Sequence, residues 1–372
     1  MLKRVGLICL IALLAIACNS SDENNSSGDN FDRGALLTHT ADNIIIPIFE
    51  DLQAKLEALE TARETFSANT TENNLESLSD AWLEAYKVWQ HVQMFNIGQA
   101  KLTSLDSERG FRTYFNRYPI TKTDIEGFAA NGNYDLEAIP TYNSQGFPGL
   151  DFLIHGVADT DANPIDKFTI NSNATGYLGY LEDLVNHMLT TNATILNDWQ
   201  NNYRDTFVNN TDSGLNGSFN MMANDLVFFY EKGFRAEKIG IPIGVFSNEP
   251  LPEKVEAFYK KTVSKTLALE ALTAIENTFN GKAYDGTTEG PSLKTYLEFL
   301  DRSDLVTEIN NQFETSRNAI NGLNDNFYQQ IIDNNNQMTI VYDVIQAAVP
   351  KLKVDMKQAL NFIIDYTDSD GD

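Results

Sequence analysis

Cysteine is almost missing from this chain: only Cys9 and Cys18 occur in 372 residues. Both stand near the start, so the remainder can hold no disulfide, thiolate nucleophile or cysteine metal site. Positive charge is also scarce. Lys and Arg total 27 against 52 Asp and Glu, a formal charge of −25. Such a polyanion repels phosphate backbones, which excludes nucleic acid as a partner. Beyond residue 17 no apolar run is long enough to span a bilayer. Sustained strand-like alternation is scarce as well, which argues against a sheet.

Familiar catalytic signatures are missing too. The four histidines, His39, His91, His155 and His187, are scattered, and no H-E-x-x-H pairs them. There is no G-x-S-x-G, no P-loop and no dinucleotide fingerprint. Asp159-Thr160-Asp161-Ala162-Asn163 opens like a calcium loop. It has Pro164 where the sharp turn needs Gly, and Ile170 where a bidentate Glu belongs.

What is present begins with a leader. Lys3 and Arg4 precede the apolar stretch Val5 to Ala17, and Leu14-Ala15-Ile16-Ala17 leads into Cys18. This resembles a bacterial lipoprotein signal, residues 1–17, with Cys18 as the lipidation point; the alternative is an ordinary secretory signal followed by an unmodified cysteine. Asn19 to Asn30 has no apolar side chain, so residues 18–32 read as a flexible tether. The expectation is a chain held at the outer membrane by its N-terminal lipid, on the periplasmic or the cell-surface face. The acidic Ser21-Asp22-Glu23 cluster resembles some surface-sorting signals.

The rest is written in helical spacing. Leu75, Leu78, Trp82, Tyr86 and Trp89 step by three and four. So do Tyr177, Leu181, Leu184, Met188, Ile195 and Trp199 over about six turns. Leu269, Leu272, Ile275 and Phe279 follow suit, with Gly281 as a C-terminal stop. Ile340, Val344 and Ala347 begin a last helix, which Pro350 should kink or restart before Met356, Leu360 and Ile363. Amphipathic helices must bury their stripes against one another. The fold class is therefore all-α, in two packed helical bundles. The Gly- and Asn-rich stretch Asn209 to Ser218 marks the division, giving 33–208 and 209–372. Asn131 to Pro148 reads as a long excursion.

Few side chains are spaced for chemistry. Asp151 and His155 lie four apart, so on a helix they share a face and could chelate one ion. Asp183 and His187 have the same spacing, which shows how cheap the pattern is; the plainer reading is a histidine bonded to its neighbour. Trp82, Tyr86 and Trp89 could form a haem or sugar platform, although such a stripe is more often core. His39 reads as a helix-start or surface residue.

Several segments, in order, resemble the imelysin family. They are Asn43-Ile44-Ile45-Ile46-Pro47-Ile48-Phe49; Ala81-Trp82 to Trp89-Gln90 with Phe95-Asn96-Ile97-Gly98; and Gln145-Gly146-Phe147-Pro148-Gly149-Leu150-Asp151 to Gly156. Further on come Glu231-Lys232 to Arg235 with Lys238-Ile239-Gly240-Ile241-Pro242-Ile243-Gly244, and Pro252 to Glu256 with Ser264 and Leu267. The aspartate-rich end after the last helix completes the set. The resemblance implies two helical domains, each built on a four-helix bundle. It implies an envelope lipoprotein or periplasmic protein associated with iron acquisition, with its site in the cleft between the domains. It also carries a peptidase label, but no complete catalytic set accompanies that label here.

The family hallmark is G-x-H-x-x-E, whose His and Glu are proposed metal ligands. Here the segment reads Gly146-Phe147-Pro148-Gly149-Leu150-Asp151. Proline replaces the histidine, and the shorter Asp replaces the Glu. An acidic position in the preceding helix is the neutral Gln93. This is similar to a subgroup with Pro and Asp at these positions. His155 could restore a nitrogen ligand; alternatively Pro148 sits in a helix's first turn and Asp151 satisfies free N–H groups there. Arg235, Lys238, Glu256 and Ser264 match family positions. The two cations could hold an anion in the cleft or form interdomain salt bridges, for instance with Glu256.

The expected function is a binding component in iron or haem uptake. Iron, another divalent metal or haem is the possible cofactor, and a protein of the uptake machinery the possible partner. The alternatives are a metallopeptidase of the imelysin type and a surface module that binds a protein or glycan.

Overall fold

The computed structural model describes residues 29–366, apart from 107 and 213. The leader, Cys18, the first part of the tether and the acidic C-terminal end lie outside the described residues. From Asp32 onward the chain forms one compact unit. Helices dominate it, and among the described residues there is no strand, only an isolated bridge between Lys282 and Glu289.

Helix α1 spans Arg33–Thr40, capped where the Asp32 carboxylate accepts the Ala35 N–H at 2.8 Å. A π turn, Ala41–Ile45, leads without a break into α2, Ile46–Ala68; Pro47 has no N–H to give the Asn43 carbonyl four residues back, which accepts the Tyr284 N–H at 2.8 Å instead. Helix α3 is Glu72–Val92. Its Thr71 cap accepts the Asn74 N–H, and Glu72 suits the positive end of the helix dipole. Helices α4, Lys122–Asn131, α5, Gly146–His155, and α6, Ala174–Asp198, complete the first group. Helix α3 packs on α2 and α5, and α6 packs on α2, α4 and α5.

The second group starts with α7, Ser218–Phe228, which runs on as a twelve-residue π segment, Phe229–Gly240. Helices α8, Ser264–Asn280, and α10, Phe327–Gln346, pack against that segment, and α9, Ser303–Asn321, packs on both of them. The groups meet where α3 lies on α8.

The helical stripes are where the spacing puts them. Leu78, Trp82, Tyr86 and Trp89 are fully buried, as are Leu181, Leu184, Met188, Ile195 and Trp199. Gly281 ends α8 in the left-handed conformation, at φ +69°. Four details differ. Leu269 lies at the edge of the α8 stripe, whose centre is Ala268, Ala271, Leu272 and Ile275. The last long helix starts at Phe327, not at Ile340, and breaks at Asn334; Ile340 is exposed, while Met338, Val341, Tyr342 and Ile345 face the core. Ile363 is exposed as well. A β-like φ at Asn334 restarts the winding, and its side chain accepts the Gln337 N–H at 3.2 Å. Pro350 precedes a resumed helix, Lys351–Met356 and then Lys357–Leu360. His39 ends α1 instead of starting it, and its Nε2 bonds the Gly281 carbonyl at 2.8 Å.

The aromatic stripe of α3 is core and not a platform. Tyr86 stacks on Phe147 at 4.4 Å and Trp89 on Phe115 at 4.7 Å, both nearly parallel. The Trp82 indole N–H donates to the Phe147 carbonyl at 3.1 Å. These contacts clamp the start of α5, where Gly146 holds φ +68° with the Phe115 carbonyl against its α-carbon. A methyl group there would meet that carbonyl and strain the backbone. Gly146→Ala should therefore cost about 2 kcal/mol or more, read as a lowered urea midpoint with an unchanged helical circular-dichroism spectrum before the transition.

Candidate functional site

The degenerate hallmark forms a latch. Helix α5 begins at Gly146, so Pro148 falls in its first turn. The Asp151 carboxylate does not cap its own helix. Instead it reaches across to the segment after Glu256, where Oδ2 accepts the Tyr259 N–H at 2.8 Å and Oδ1 the Lys260 N–H at 2.9 Å. That segment turns sharply, with Ala257 and Lys261 both at φ +56°. Two backbone donors aimed at one buried carboxylate hold it in that shape. His155 bonds Asp151 Oδ1 through Nδ1 at 2.9 Å, and its Nε2 lies 2.8 Å from Ser79 Oγ. The Lys260 ammonium donates to the same hydroxyl at 3.0 Å.

These donors do not fit a metal ion. Asp151 already meets three N–H groups, and both ring nitrogens of His155 have partners. The Pro148 side chain offers no ligand atom. Among the described residues no group of three or more His, Cys, Asp or Glu could hold a metal. Haem finds no axial ligand at Asp151 and His155 for the same reason.

A second buried cluster lies beside the latch, centred on Glu256. Its Oε2 takes the Lys238 ammonium, and its Oε1 accepts Asn116 Nδ2 at 2.8 Å and Gln90 Nε2 at 3.2 Å. Ser264 Oγ donates to the Glu256 carbonyl at 2.9 Å. Tyr86 donates to Asn116 Oδ1 at 2.6 Å. Lys238 also donates to Gln90 Oε1 at 2.7 Å. An ammonium only donates, so this atom must be the amide oxygen, and the Gln90 NH₂ must face Glu256. The same oxygen takes Gln93 Nε2 at 2.6 Å, which leaves Gln93 Oε1 without a donor among the described residues. Burial pulls the Lys238 ammonium down, while Glu256 beside it pushes it back up.

Arg235 and Lys238 do not act together. In an α-helix residues three apart share a face, but the wider π winding turns them to different sides. Arg235 faces α10, donating to Tyr342 at 2.8 Å and to Gln346, with Glu231 alongside at 3.7 Å. Both cations are buried, Arg235 at 1% exposure and Lys238 at 2%. They brace the interior. The Lys238–Glu256 bond is the pairing allowed for from the sequence, but both residues belong to the second helix group, so it does not link the two groups as expected.

Space lies next to these clusters. A cavity of about 390 Å³ is bordered by Gln93, Asn116, Phe228, Gly233 and Ile241. A second, about 400 Å³, runs from Asn116 along Tyr118 and Pro119 to Lys254. Arg109 and Glu237 border both and bond each other at 3.0 Å. A smaller one, about 140 Å³, touches Pro148 and Asp151. The sequence reading found Gln93 here but missed Arg109, Arg112 and Asn116, which lie in a stretch without periodicity. The available signal was three arginines, Arg109, Arg112 and Arg117, crowded together on an acidic chain.

The fold and site define an all-helical protein whose sequence-distant segments converge on a buried polar knot beside open cavities. The imelysin family model matches residues 45–354, so the chain belongs to the imelysin family. No protein of curated function matches it. Two crystal structures share its fold. One is an iron-regulated protein A precursor from Parabacteroides distasonis ATCC 8503, 18% identical with a TM-score of 0.71. The other is an imelysin-like protein from Psychrobacter arcticus 273-4, 16% identical with a TM-score of 0.71. Each match covers 90% of this chain and 97% of the other.

Removing one partner of a buried ion pair strands the other charge. Glu256→Gln should therefore lose about 3–5 kcal/mol of stability, measured by denaturant unfolding, and more than Lys294→Ala, which removes an exposed partner of Glu289. Asp225 yields a pH prediction. Burial pushes its carboxyl up to about 7, against the pull of Arg112, the Asn96 N–H and Lys101, with Asp365 adding to the rise. The folded protein thus keeps a proton that the unfolded chain has released, so this group's contribution to stability falls as pH rises from about 4 to about 7 and is level above. Asp225→Asn should raise the thermal midpoint at pH 8, by the equivalent of about 1 kcal/mol or more, and change it little near pH 4.

Proposed function

We propose that this protein is a lipid-anchored component of the bacterial envelope that binds a ligand in iron acquisition, in the cavities beside Gln93 and Asn116, and that it is not a peptidase. The observation that carries this reading is the division of labour at the site. The hallmark side chains are spent on one another, whereas the adjoining cavities are open and lined with polar groups. A peptidase needs a metal-activated water on about three protein ligands together with a general base. The saturated Asp151–His155 pair supplies neither. Iron acquisition is supported by family membership and by the iron-regulated relative from Parabacteroides distasonis. Anchoring at Cys18 rests on the leader and the apolar-free stretch that follows it. The outer membrane is the proposed site, and a protein of the uptake machinery the proposed partner.

The test is a titration of the chain, purified in detergent, with ferric citrate, haem, ferric iron and zinc. Micromolar binding of a ferric chelate or of haem, retained in Asp151→Asn, is the expected result. Absence of binding by all four probes would remove the iron role. Chelator-sensitive cleavage of an unstructured protein substrate, abolished in Asp151→Asn, would establish the peptidase reading instead. Incorporation of labelled palmitate, lost in Cys18→Ala, checks the anchor, and protease treatment of intact cells decides which membrane face is occupied.

A further inference from the structure

The cavity bordered by Gln93 gathers basic side chains on an acidic chain. On a chain with formal charge −25, Arg109, Arg112 and Lys232 all border it. Of its two carboxylates, Glu237 is bonded to Arg109 at 3.0 Å and Glu108 is exposed to solvent. The second cavity adds Arg117 and Lys254 and no further carboxylate. Lys254 forms no ion pair among the described residues.

Arg112 is the informative residue. Its guanidinium donates through Nε to the Arg109 carbonyl at 3.2 Å and through Nη2 to the Glu108 carbonyl at 2.8 Å. It lies over the Phe228 ring, 4.8 Å from the centroid. Among the described residues no carboxylate comes within ion-pair distance of it. A guanidinium fixed by neutral carbonyls and a ring, with Asp225 and Glu237 attracting it only from beyond ion-pair distance, is held in place without a direct carboxylate partner, and two-pronged recognition of a carboxylate is its characteristic use. Burial works against that charge, pulling the Arg112 guanidinium down, so a bound anion would relieve a standing cost.

Two further features narrow the ligand. Phe228, Ile241 and the half-exposed Phe246 give the cavity apolar walls. Gln93 is 4% exposed, and its Oε1 has no donor among the described residues, because the Glu256–Lys238–Gln90 chain fixes which way its amide turns. The cavity therefore offers a cation fork, an apolar wall and one hydrogen-bond acceptor.

We propose that this cavity binds an organic carboxylate whose apolar or aromatic body carries a hydroxyl, with Arg112 taking the carboxylate, Phe228 and Phe246 the body, and Gln93 Oε1 the hydroxyl. This deepens the proposed function by naming the chemical class of ligand for the same site, and it makes no demand that the ligand arrive with iron.

The probes are salicylate, benzoate and inorganic phosphate, each titrated calorimetrically into the whole chain in detergent. Salicylate should bind most tightly, benzoate less tightly for want of the hydroxyl, and phosphate least for want of an apolar body. Arg112→Gln should weaken salicylate by about tenfold or more, and Gln93→Leu should erase the preference for salicylate over benzoate. Arg302→Gln, remote from both cavities, should change nothing. Binding of phosphate as tight as that of salicylate, or wild-type salicylate affinity in a folded Arg112→Gln, overturns the proposal. If Arg112→Gln does not fold, Gln93→Leu decides: a retained salicylate preference overturns the proposal and its loss supports it. Failure here is distinct from failure of the iron reading. Ferric citrate or haem that binds regardless of Arg112 would sink this inference alone, while salicylate binding without any ferric species would sink the other.

Discussion

The structure turns on one buried carboxylate. Glu256 is 2% exposed, and its two oxygens gather Lys238 from the π segment, Gln90 from α3 and Asn116 from the stretch after it. Withdrawing an ammonium and a carboxylate from water costs several kcal/mol per ion, which only close pairing and full hydrogen bonding offset. Here both conditions hold, and the partners come from elements far apart in the sequence. The network also fixes orientations: Lys238 sets the Gln90 amide, and Gln90 sets Gln93. A side chain bordering the cavity is thereby aimed by a charge two residues removed from it.

Against this background the altered hallmark has a physical meaning. Proline at 148 and aspartate at 151 give a helix start and a short carboxylate that bonds the Tyr259 and Lys260 amides. The segment carrying Glu256 is thus held from one side by Asp151 and from the other by Lys238. In exchange for open coordination positions, the chain has a rigid junction between its two helix groups. Gln93 fits the same logic, because a carboxylate in its place would add an acidic group beside the Lys238–Glu256 pair.

Much of the architecture was legible in the sequence. Stripes such as Leu78, Trp82, Tyr86 and Trp89 can be read because burial and the 3.6-residue period act on neighbouring positions. The errors fell where local winding departs from that period: the break at Asn334, and the π segment that separates Arg235 from Lys238. The site was legible only in part. Lys238, Glu256 and Ser264 do converge, but the reach of Asp151 to amides more than a hundred residues away leaves no local trace, since a backbone donor has no residue identity to read. Arg112 was missed for the opposite reason. Its partners are carbonyls and a ring, and its lack of a carboxylate is a property of space, invisible along the chain.

The Arg109–Glu237 pair has a bearing on size. Both residues border the two larger cavities, as do Asn116 and Ile241, so their contact is part of the boundary between chambers of similar volume. The pair is partly solvated, with side chains 38% and 27% exposed, and such contacts are worth at most about 1 kcal/mol. A crossbar that cheap can swing aside under modest load. The passage between the two chambers beside Asn116 and Ile241 would then widen, which favours guests longer than either compartment alone.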